Sequence, residues 1–179
     1  MQTPSNKRYP SQYENWITLK DGRKVFIRPI LETDGPLIVD LFNKTSEHSR
    51  YLRMLSHIKA LPEDLLFQFT HLDYDKAFAL VAMIEEDEKD AIIAIARYAY
   101  DQQENYTELA LVVRDDWQHY GLGKSLLLQL ISIGKEHGIS RFATVIDPQN
   151  DIILKIIPEI SYDAKYSWHG GSLTAEIFV

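Results

Sequence analysis

The sequence contains no cysteine among its 179 residues. That absence excludes disulfide bonds, a thiol nucleophile and thiolate metal sites, and it leaves the redox state of the compartment unread. The sequence also has no apolar run long enough to cross a membrane, and its first ten residues, MQTPSNKRYP, contain no hydrophobic leader. We therefore expect a protein that works in the cytoplasm and does not engage a membrane.

Positive charge is also in short supply. Lysine and arginine number 19 against 26 aspartates and glutamates, which gives a formal charge of −7 and a pI near 5.3. Because binding to a nucleic-acid backbone depends on clustered basic side chains, this balance disfavours nucleic acid as a partner, although it suits a cationic acceptor such as a lysine side chain. The first thirty residues are the exception, and we expect their basic side chains to form a solvated rim: Lys7, Arg8, Lys20, Arg23, Lys24 and Arg28.

Histidines are few and scattered along the chain. Five of them show neither the H-x-x-x-H spacing nor a cluster with carboxylates that a metal site needs: His48, His57, His71, His119 and His137. We expect surface or packing roles for these side chains and no metal ion.

Apolar residues make up 45% of the chain, which suffices for one packed core. No internal repeat or linker-like stretch divides the sequence, so residues 1–179 are predicted to form a single domain. The apolar periodicities predict a strand hairpin turning at Asp21-Gly22, three helices, three strands, a helix, a strand, a short helix ended by Pro158, and a hairpin turning at Gly170-Gly171. This order favours an α/β protein with a mixed, mostly antiparallel sheet of about six or seven strands and helices on both faces.

The segment DDWQHYGLGKS, residues 115–125, carries the strongest functional pattern. One interpretation is a nucleotide P-loop, but the opening glycine of that motif would fall on Gln118, and the remaining chain is short for a nucleotide-hydrolase sheet. A second is a glycine-rich turn that opens an ordinary helix. A third is a cradle for the pyrophosphate of coenzyme A.

The cradle interpretation has a physical basis. A helix N-terminus presents unpaired backbone N–H groups and a dipole that favours anions, and glycine lets the backbone approach a phosphate closely. Under this interpretation the main chain of six consecutive residues would hold the pyrophosphate, while Lys124 and Ser125 add polar contacts. The six are Gln118, His119, Tyr120, Gly121, Leu122 and Gly123.

The segment VVRDDWQHYGLGKSLLLQLI resembles the Gln/Arg-x-x-Gly-x-Gly/Ala motif of the GCN5-related N-acetyltransferases, or GNAT family. The blocks SEHSRYLRML, LDYDKAFALVAMI, IAIARYAYD and TELALVVRDDWQ extend the resemblance to the acetyltransferase domain of bacterial Pat-type protein lysine acetyltransferases. It covers roughly residues 13 to 155 and includes several separated blocks in the same order. It implies a GNAT fold, acetyl-CoA as cosubstrate and direct transfer of the acetyl group in a ternary complex.

The resemblance also implies roles for residues of the strand YTELALVV. That strand would part from its neighbour and leave the backbone of Leu111, Val112 and Val113 free for the pantetheine arm and the thioester. Glu108 matches the catalytic glutamate of Pat-like domains and is our candidate general base. The alternative from the residues alone is a strand-end glutamate that faces solvent or pairs with Arg97 or Lys124.

Two further positions are ambiguous. Asn150 precedes an apolar helical run, which is typical of a helix cap, whereas the resemblance implies a hydrogen bond to the pantetheine arm. The tyrosine that protonates the departing thiolate in many family members is replaced by Ile157, so the general acid is unassigned. Tyr162, Tyr166 and His169 follow, but the sequence does not place them.

These observations predict an acetyl-CoA-dependent N-acetyltransferase whose acceptor is a primary amine, with a protein lysine favoured. One alternative is a small-molecule amine N-acetyltransferase. Another, motivated by the missing tyrosine, is a non-catalytic module that binds acyl-CoA and acts as a sensor. The sequence leaves the acceptor, the acyl-chain preference and self-association into a homo-oligomer open.

Overall fold

A computed structural model describes residues 8–103, 105–161 and 163–179. Its centre is an open sheet of eight strands in the order β1-β2-β3-β4-β5-β6-β8-β7. All neighbouring strands are antiparallel except β5 and β6, which run parallel. The strands are β1 Asn15–Thr18, β2 Lys24–Pro29, β3 Ala77–Glu86, β4 Lys89–Asp101, β5 Tyr106–Val113, β6 Arg141–Ile146, β7 Ala164–His169 and β8 Ser172–Phe178.

Helices cover both faces of this sheet. They are α1 Gly35–Lys44, α2 Glu47–Met54, α3 Glu63–Thr70, α4 Leu122–Glu136 and α5 Asp151–Ile160. One buried apolar cluster joins the sheet to α4, and a second joins the other face to α1 and α3. Alternation along β5 feeds both clusters, because Leu109 and Val113 pack in the first while Val112 packs against the second.

The predicted mixed, mostly antiparallel sheet with helices on both faces is confirmed, with eight strands instead of six or seven. The C-terminal hairpin belongs to this sheet, because β8 alternates buried and partly buried residues and inserts beside β6. The turns at Asp21-Gly22 and Gly170-Gly171 are also found. Lys7 and Tyr162 lie outside the described residues.

The prediction that Pro158 ends the last helix was wrong. Helix α5 continues to Ile160, and the N–H of Ser161 still bonds to the Ile157 carbonyl at 3.1 Å. Proline lacks only its own N–H, and three residues from the end of a helix that loss leaves the closing turn intact.

The parallel pair β5–β6 creates the opening on which the site is built. Thr107 pairs with Phe142 and Glu108 with Ala143, and the described register ends there. Beyond Glu108 the strands diverge, while β5 remains paired with β4 along its whole length. The sheet therefore splits into a V whose apex lies at Glu108.

Candidate functional site

A groove of about 390 Å³ occupies the V between β5 and β6. Residues of β5 form one wall, β6 and α5 form the other, α4 closes one end, and the last turn of α2 lies alongside. Ten of the predicted site residues line this groove: Glu108, Leu111, Val112, Val113, Gln118, His119, Gly121, Gly123, Lys124 and Asn150.

Three other predicted residues do not line the groove. Leu122, the first residue of α4, is buried in the core. The ring of Tyr120 lies 4.5 Å from the guanidinium carbon of Arg23. The N–H of Ser125 bonds to the Gly121 carbonyl at 3.1 Å as the helix begins. The side chains of Leu122 and Tyr120 thus serve packing.

The turn between β5 and α4 has an unusual backbone. His119 and Gly121 both have positive φ, 69° and 88°, and Gly121 is the N-cap of α4. The turn leads into α4, whose first N–H groups have no acceptor within the helix. Strain of this kind in a non-glycine residue such as His119 is concentrated at functional sites.

Gly121 and Gly123 are needed for different reasons. Gly121 occupies the left-handed region that side chains disfavour, whereas Gly123 lies within α4. A Cβ built on Gly123 would approach the Leu111 side chain to 2.9 Å. The second glycine therefore lets α4 pack closely against β5, the strand that forms the groove wall.

Gln118 holds the turn in place. Its backbone N–H bonds to the Asp115 carbonyl at 3.3 Å, and its side-chain amide donates to the Val113 carbonyl at 2.9 Å and to Ser49 Oγ at 3.3 Å. The backbone N–H of Gln118 therefore already has an acceptor and is not available to an anion. The N–H groups available to an anion come from the following residues and the first turn of α4.

Two basic residues predicted as a solvated rim support this turn. The N–H of Lys20 bonds to the Tyr120 carbonyl at 3.1 Å, and its side chain lies against Gly121 and lines the groove. The Arg23 guanidinium lies 3.7 Å from the Trp117 ring centre. Sequence reasoning missed Lys20 because only the fold brings the β1–β2 turn next to the start of α4.

The side chain of Lys124 forms an ion pair at the edge of the groove. Its Nζ lies 2.8 Å from Glu159 Oε2 on α5, and both side chains are largely exposed. The Lys124 charge lowers the pKa of Glu159 below its ordinary value. Exposed ion pairs of this kind are weak, so a phosphate can compete for the ammonium.

Glu108 is exposed to the groove at the point where β5 and β6 part. Lys124, one predicted alternative partner, pairs with Glu159 instead. Arg97, the other, and Arg53 lie within electrostatic range of Glu108, and neither forms an ion pair with it among the described residues. The carboxylate is therefore accessible to a ligand that enters the groove.

Asn150 is the N-cap of α5, and its Oδ1 accepts from the Ile153 N–H at 3.2 Å. The predicted cap is confirmed, and the same residue also lines the groove. Ile157 is fully buried against the core. Tyr166 and His169 lie on the edge strand β7 with exposed side chains, and neither lines the groove.

Two features are absent from the described residues. No group of three or more histidine, aspartate or glutamate side chains there could hold a metal ion. No helix in that part of the chain is both long and apolar enough to cross a membrane.

Residues 44–154 match the acetyltransferase (GNAT) family. Acetyltransferase PA5475 of Pseudomonas aeruginosa is 34% identical over 133 residues, which are 74% of this chain and 72% of that protein. The GNAT domain of S. lividans PAT has a TM-score of 0.88 at 27% identity, over 96% of this chain and 100% of that one. The structure of yncA from Salmonella typhimurium with its cofactor acetyl-CoA has a TM-score of 0.65 at 16% identity, over 86% and 93% of the two chains, so this likeness concerns the fold.

Proposed function

The chain belongs to the acetyltransferase (GNAT) family and is an acyltransferase, and from that premise we propose that it moves an acetyl group from acetyl-CoA to a primary amine, with a protein lysine favoured. The observation that carries the proposal is the V between β5 and β6, with Glu108 at its apex and the positive-φ turn at its far end. The similarity to the S. lividans PAT domain supports the protein acceptor.

The residues at the far end of the groove fit a coenzyme pyrophosphate. The backbone after Gln118 and the first turn of α4 supply N–H donors, Gly121 permits the conformation, and Lys20 and Lys124 supply charge. The backbone groups of Leu111 to Val113 that face β6 could hold the pantetheine arm, apart from the Val113 carbonyl, which already accepts from Gln118. Asn150 can add its side-chain NH₂ group, because only its Oδ1 is used by the cap.

The chain's own contribution to chemistry is proton removal and orientation. Acetyl-CoA, when bound, supplies an acetyl group activated as a thioester. An alkylammonium has a pKa near ~10.4 and cannot attack until it loses a proton, which Glu108 accepts directly or through a water molecule. The amine then forms the C–N bond as the C–S bond breaks. The departing thiolate takes a proton from solvent, because Ile157 replaces the tyrosine that often serves as acid.

The accessibility of Glu108 favours a protein acceptor over a buried metabolite. Its side chain is exposed at the groove, so a lysine projecting from another protein can reach it.

We also propose that residues 1–179 act as one acetyltransferase domain, since strands from Asn15 to Phe178 share one sheet. The cytoplasmic location stays a prediction.

The test is an acceptor survey followed by one substitution. Incubation with acetyl-CoA and a cell lysate, followed by mapping of acetylated lysines, should give specific sites. A blank map beside rapid acetylation of small amines would replace the lysine acceptor with a metabolite. Tight acetyl-CoA binding without transfer to any amine or protein would instead support a sensor.

For a validated acceptor, Glu108→Gln should lower kcat/KM by about 10²- to 10⁴-fold, because the general base is lost. Its affinity for acetyl-CoA, measured by calorimetry, should stay within about twofold, since the carboxylate does not hold the pyrophosphate. Glu85→Gln, an exposed acid on β3, is the matched control and should leave both values unchanged. An unchanged rate in Glu108→Gln would remove this residue from the mechanism.

A further inference from the structure

A second, smaller pocket adjoins the groove on the α2 side of the sheet. It has a volume of about 50 Å³ and is lined by three arginines set in an apolar wall. Arg50 and Arg53 come from α2, and Arg97 comes from β4. No residue that lines this pocket is acidic. In a chain of net charge −7, this is a local concentration of positive charge.

The three guanidinium groups are poorly compensated. Arg50 lies 4.7 Å from the Phe42 ring centre, and Arg97 and Arg53 lie 5.4 Å and 6.0 Å from the Phe69 ring centre. The Nε atoms of Arg50 and Arg97 are buried without a hydrogen-bond partner among the described residues. Aromatic faces attract cations weakly, and a buried donor without an acceptor is costly.

The pKa shifts of two of these arginines also show that their positive charges are poorly compensated. Burial lowers the pKa of Arg53, and burial together with the charge of Arg53 lowers the pKa of Arg97. The charge of Glu108 opposes both changes, and it is the one carboxylate that acts on these two arginines among the described groups. Arg53 and Arg97 therefore share the charge of one carboxylate, and Arg50 brings a third positive charge to the same apolar wall. An anion from a ligand that reached these guanidinium groups would offset their charge.

The pocket lies next to the reaction centre. The β4–β5 register places Arg97 opposite Ala110, and alternation puts Ala110 and Val112 on the same face of β5 as Glu108. Arg53 and Val112 line both the pocket and the groove. A group bound by the arginines would therefore sit beside an amine positioned at Glu108.

We propose that the acceptor carries a carboxylate or similar anion close to its amine, and that Arg50, Arg53 and Arg97 bind that anion. The proposal rests on the acetyl-transfer function proposed above and names its acceptor class. The anion comes either from acidic residues beside an acceptor lysine or from a free amino acid. A planar guanidinium fork matches a carboxylate.

The positive pocket also makes a negative prediction. A polyamine without an anion brings further positive charge toward three guanidinium groups, and such like-charge contacts are unfavourable. Plain polyamines should therefore be poor acceptors. The same field favours the uncharged form of the attacking amine, which is the reactive form.

The experiment compares acceptors that differ only in charge. One pair is blocked peptides containing Glu-Lys-Glu or Gln-Lys-Gln, and the other is 6-aminohexanoate and its amide. For each we would measure kcat/KM by thiol release at saturating acetyl-CoA, and equilibrium binding by calorimetry with coenzyme A present.

The proteins are wild type, Arg97→Gln and Arg50→Gln. The control is Arg141→Gln, an arginine on β6 that pairs with Glu176 and lines neither pocket. Melting temperature and acetyl-CoA affinity show that each variant is folded.

The wild type should prefer the acidic member of at least one pair by about tenfold or more, the value of a charge-assisted hydrogen bond. Arg97→Gln and Arg50→Gln should bring this ratio close to one, while Arg141→Gln keeps it. The pair that shows the preference identifies the source of the anion.

Three results would overturn the proposal. The first is a wild-type ratio near one in both pairs, and the second is a ratio that survives in both pocket variants. The third is an equal loss for acidic and neutral acceptors, which would mean that the arginines act only through Glu108 while acetyl transfer stands. If no acceptor is acetylated, the proposed function fails, and the binding ratios then decide the anion site alone.

Discussion

Two glycines separated by a single residue have different physical roles. Gly121 is in the left-handed region at the start of α4, and Gly123 leaves space for Leu111. The sequence pattern marks both as part of an anion-binding turn, and the reason for each becomes clear only from the backbone. The turn's shape depends on Gly121, because its left-handed conformation leads directly into the first turn of α4.

Gly121→Ala should weaken acetyl-CoA binding by about tenfold, because relieving a left-handed alanine rotates at least one amide away from the phosphate. Stability should fall by about 1–2 kcal/mol. Gly138→Ala is a matched control, since Gly138 also has positive φ, with open space around it at the other end of α4. It should lose similar stability and keep its affinity. Calorimetry and thermal melting give the two values, and equal affinities in the two variants would contradict the role of Gly121.

Single residues also mark where sequence reasoning succeeds. In YTELALVV, alternation places Leu109 and Val113 on one face and Val112 on the other, because a strand between two helical layers needs apolar residues on both faces. The cap at Asn150 follows from its local pattern. Lys20 was missed because its position depends on contacts between segments about one hundred residues apart.

At the scale of elements, α2 connects the two ends of the site. Asp115, after β5, accepts hydrogen bonds from the Ser46 N–H at 2.8 Å and from the Ser49 hydroxyl at 2.6 Å. Burial alone would raise the pKa of Asp115, but these hydrogen bonds lower it. On the other side, the Tyr51 hydroxyl donates to Asp147 Oδ2 at 3.3 Å. The helix that carries Arg50 and Arg53 is thus tied to both walls of the groove.

The segment that leads from β5 to the turn is held by Arg114. Its guanidinium is buried and donates to Asp116 and, at 2.8 and 3.1 Å, to both carboxylate oxygens of Glu86 on β3. Lys44 at the end of α1 also pairs with Glu86 at 2.8 Å. Hydrogen bonds from Arg114 and Lys44 lower the pKa of Glu86 to about 2.

This network predicts a pH-dependent stability. Because the folded pKa of Glu86 lies below its unfolded value, its contribution is complete above pH ~4.5 and is lost as the pH falls through about 2. Glu86→Gln should cost about 1 kcal/mol at pH 7, a value reduced for partial solvent exposure, and the cost should shrink toward pH 2. Denaturant melts of wild type and variant between pH 7 and 2.5 measure it.

Glu85→Gln on the same strand is the control for that series. Its side chain is exposed, and substitution should change stability little at any pH. A Glu86→Gln cost that stays constant down to pH 2.5 would show that packing, and not the carboxylate charge, holds this corner.

For the whole molecule, the sequence predicted the class of sheet and the order of elements. It did so because strands and amphipathic helices have separate periodicities and short turn signals between them. The order of the last two strands was not predicted, because nothing local shows that β8 inserts beside β6 ahead of β7. The arginine pocket was not predicted either, since Arg97 and the two arginines of α2 meet only when α2 packs on the sheet at β5.

The central claim is that the turn after β5 binds the diphosphate of acetyl-CoA within the split sheet. A crystal structure of the chain grown with acetyl-CoA tests it most directly. We predict phosphate oxygens about 3 Å from backbone N–H groups between His119 and Lys124, with the thioester beside β5 and near Glu108. Coenzyme bound at another surface, or a groove filled by the protein's own side chains, would contradict the account.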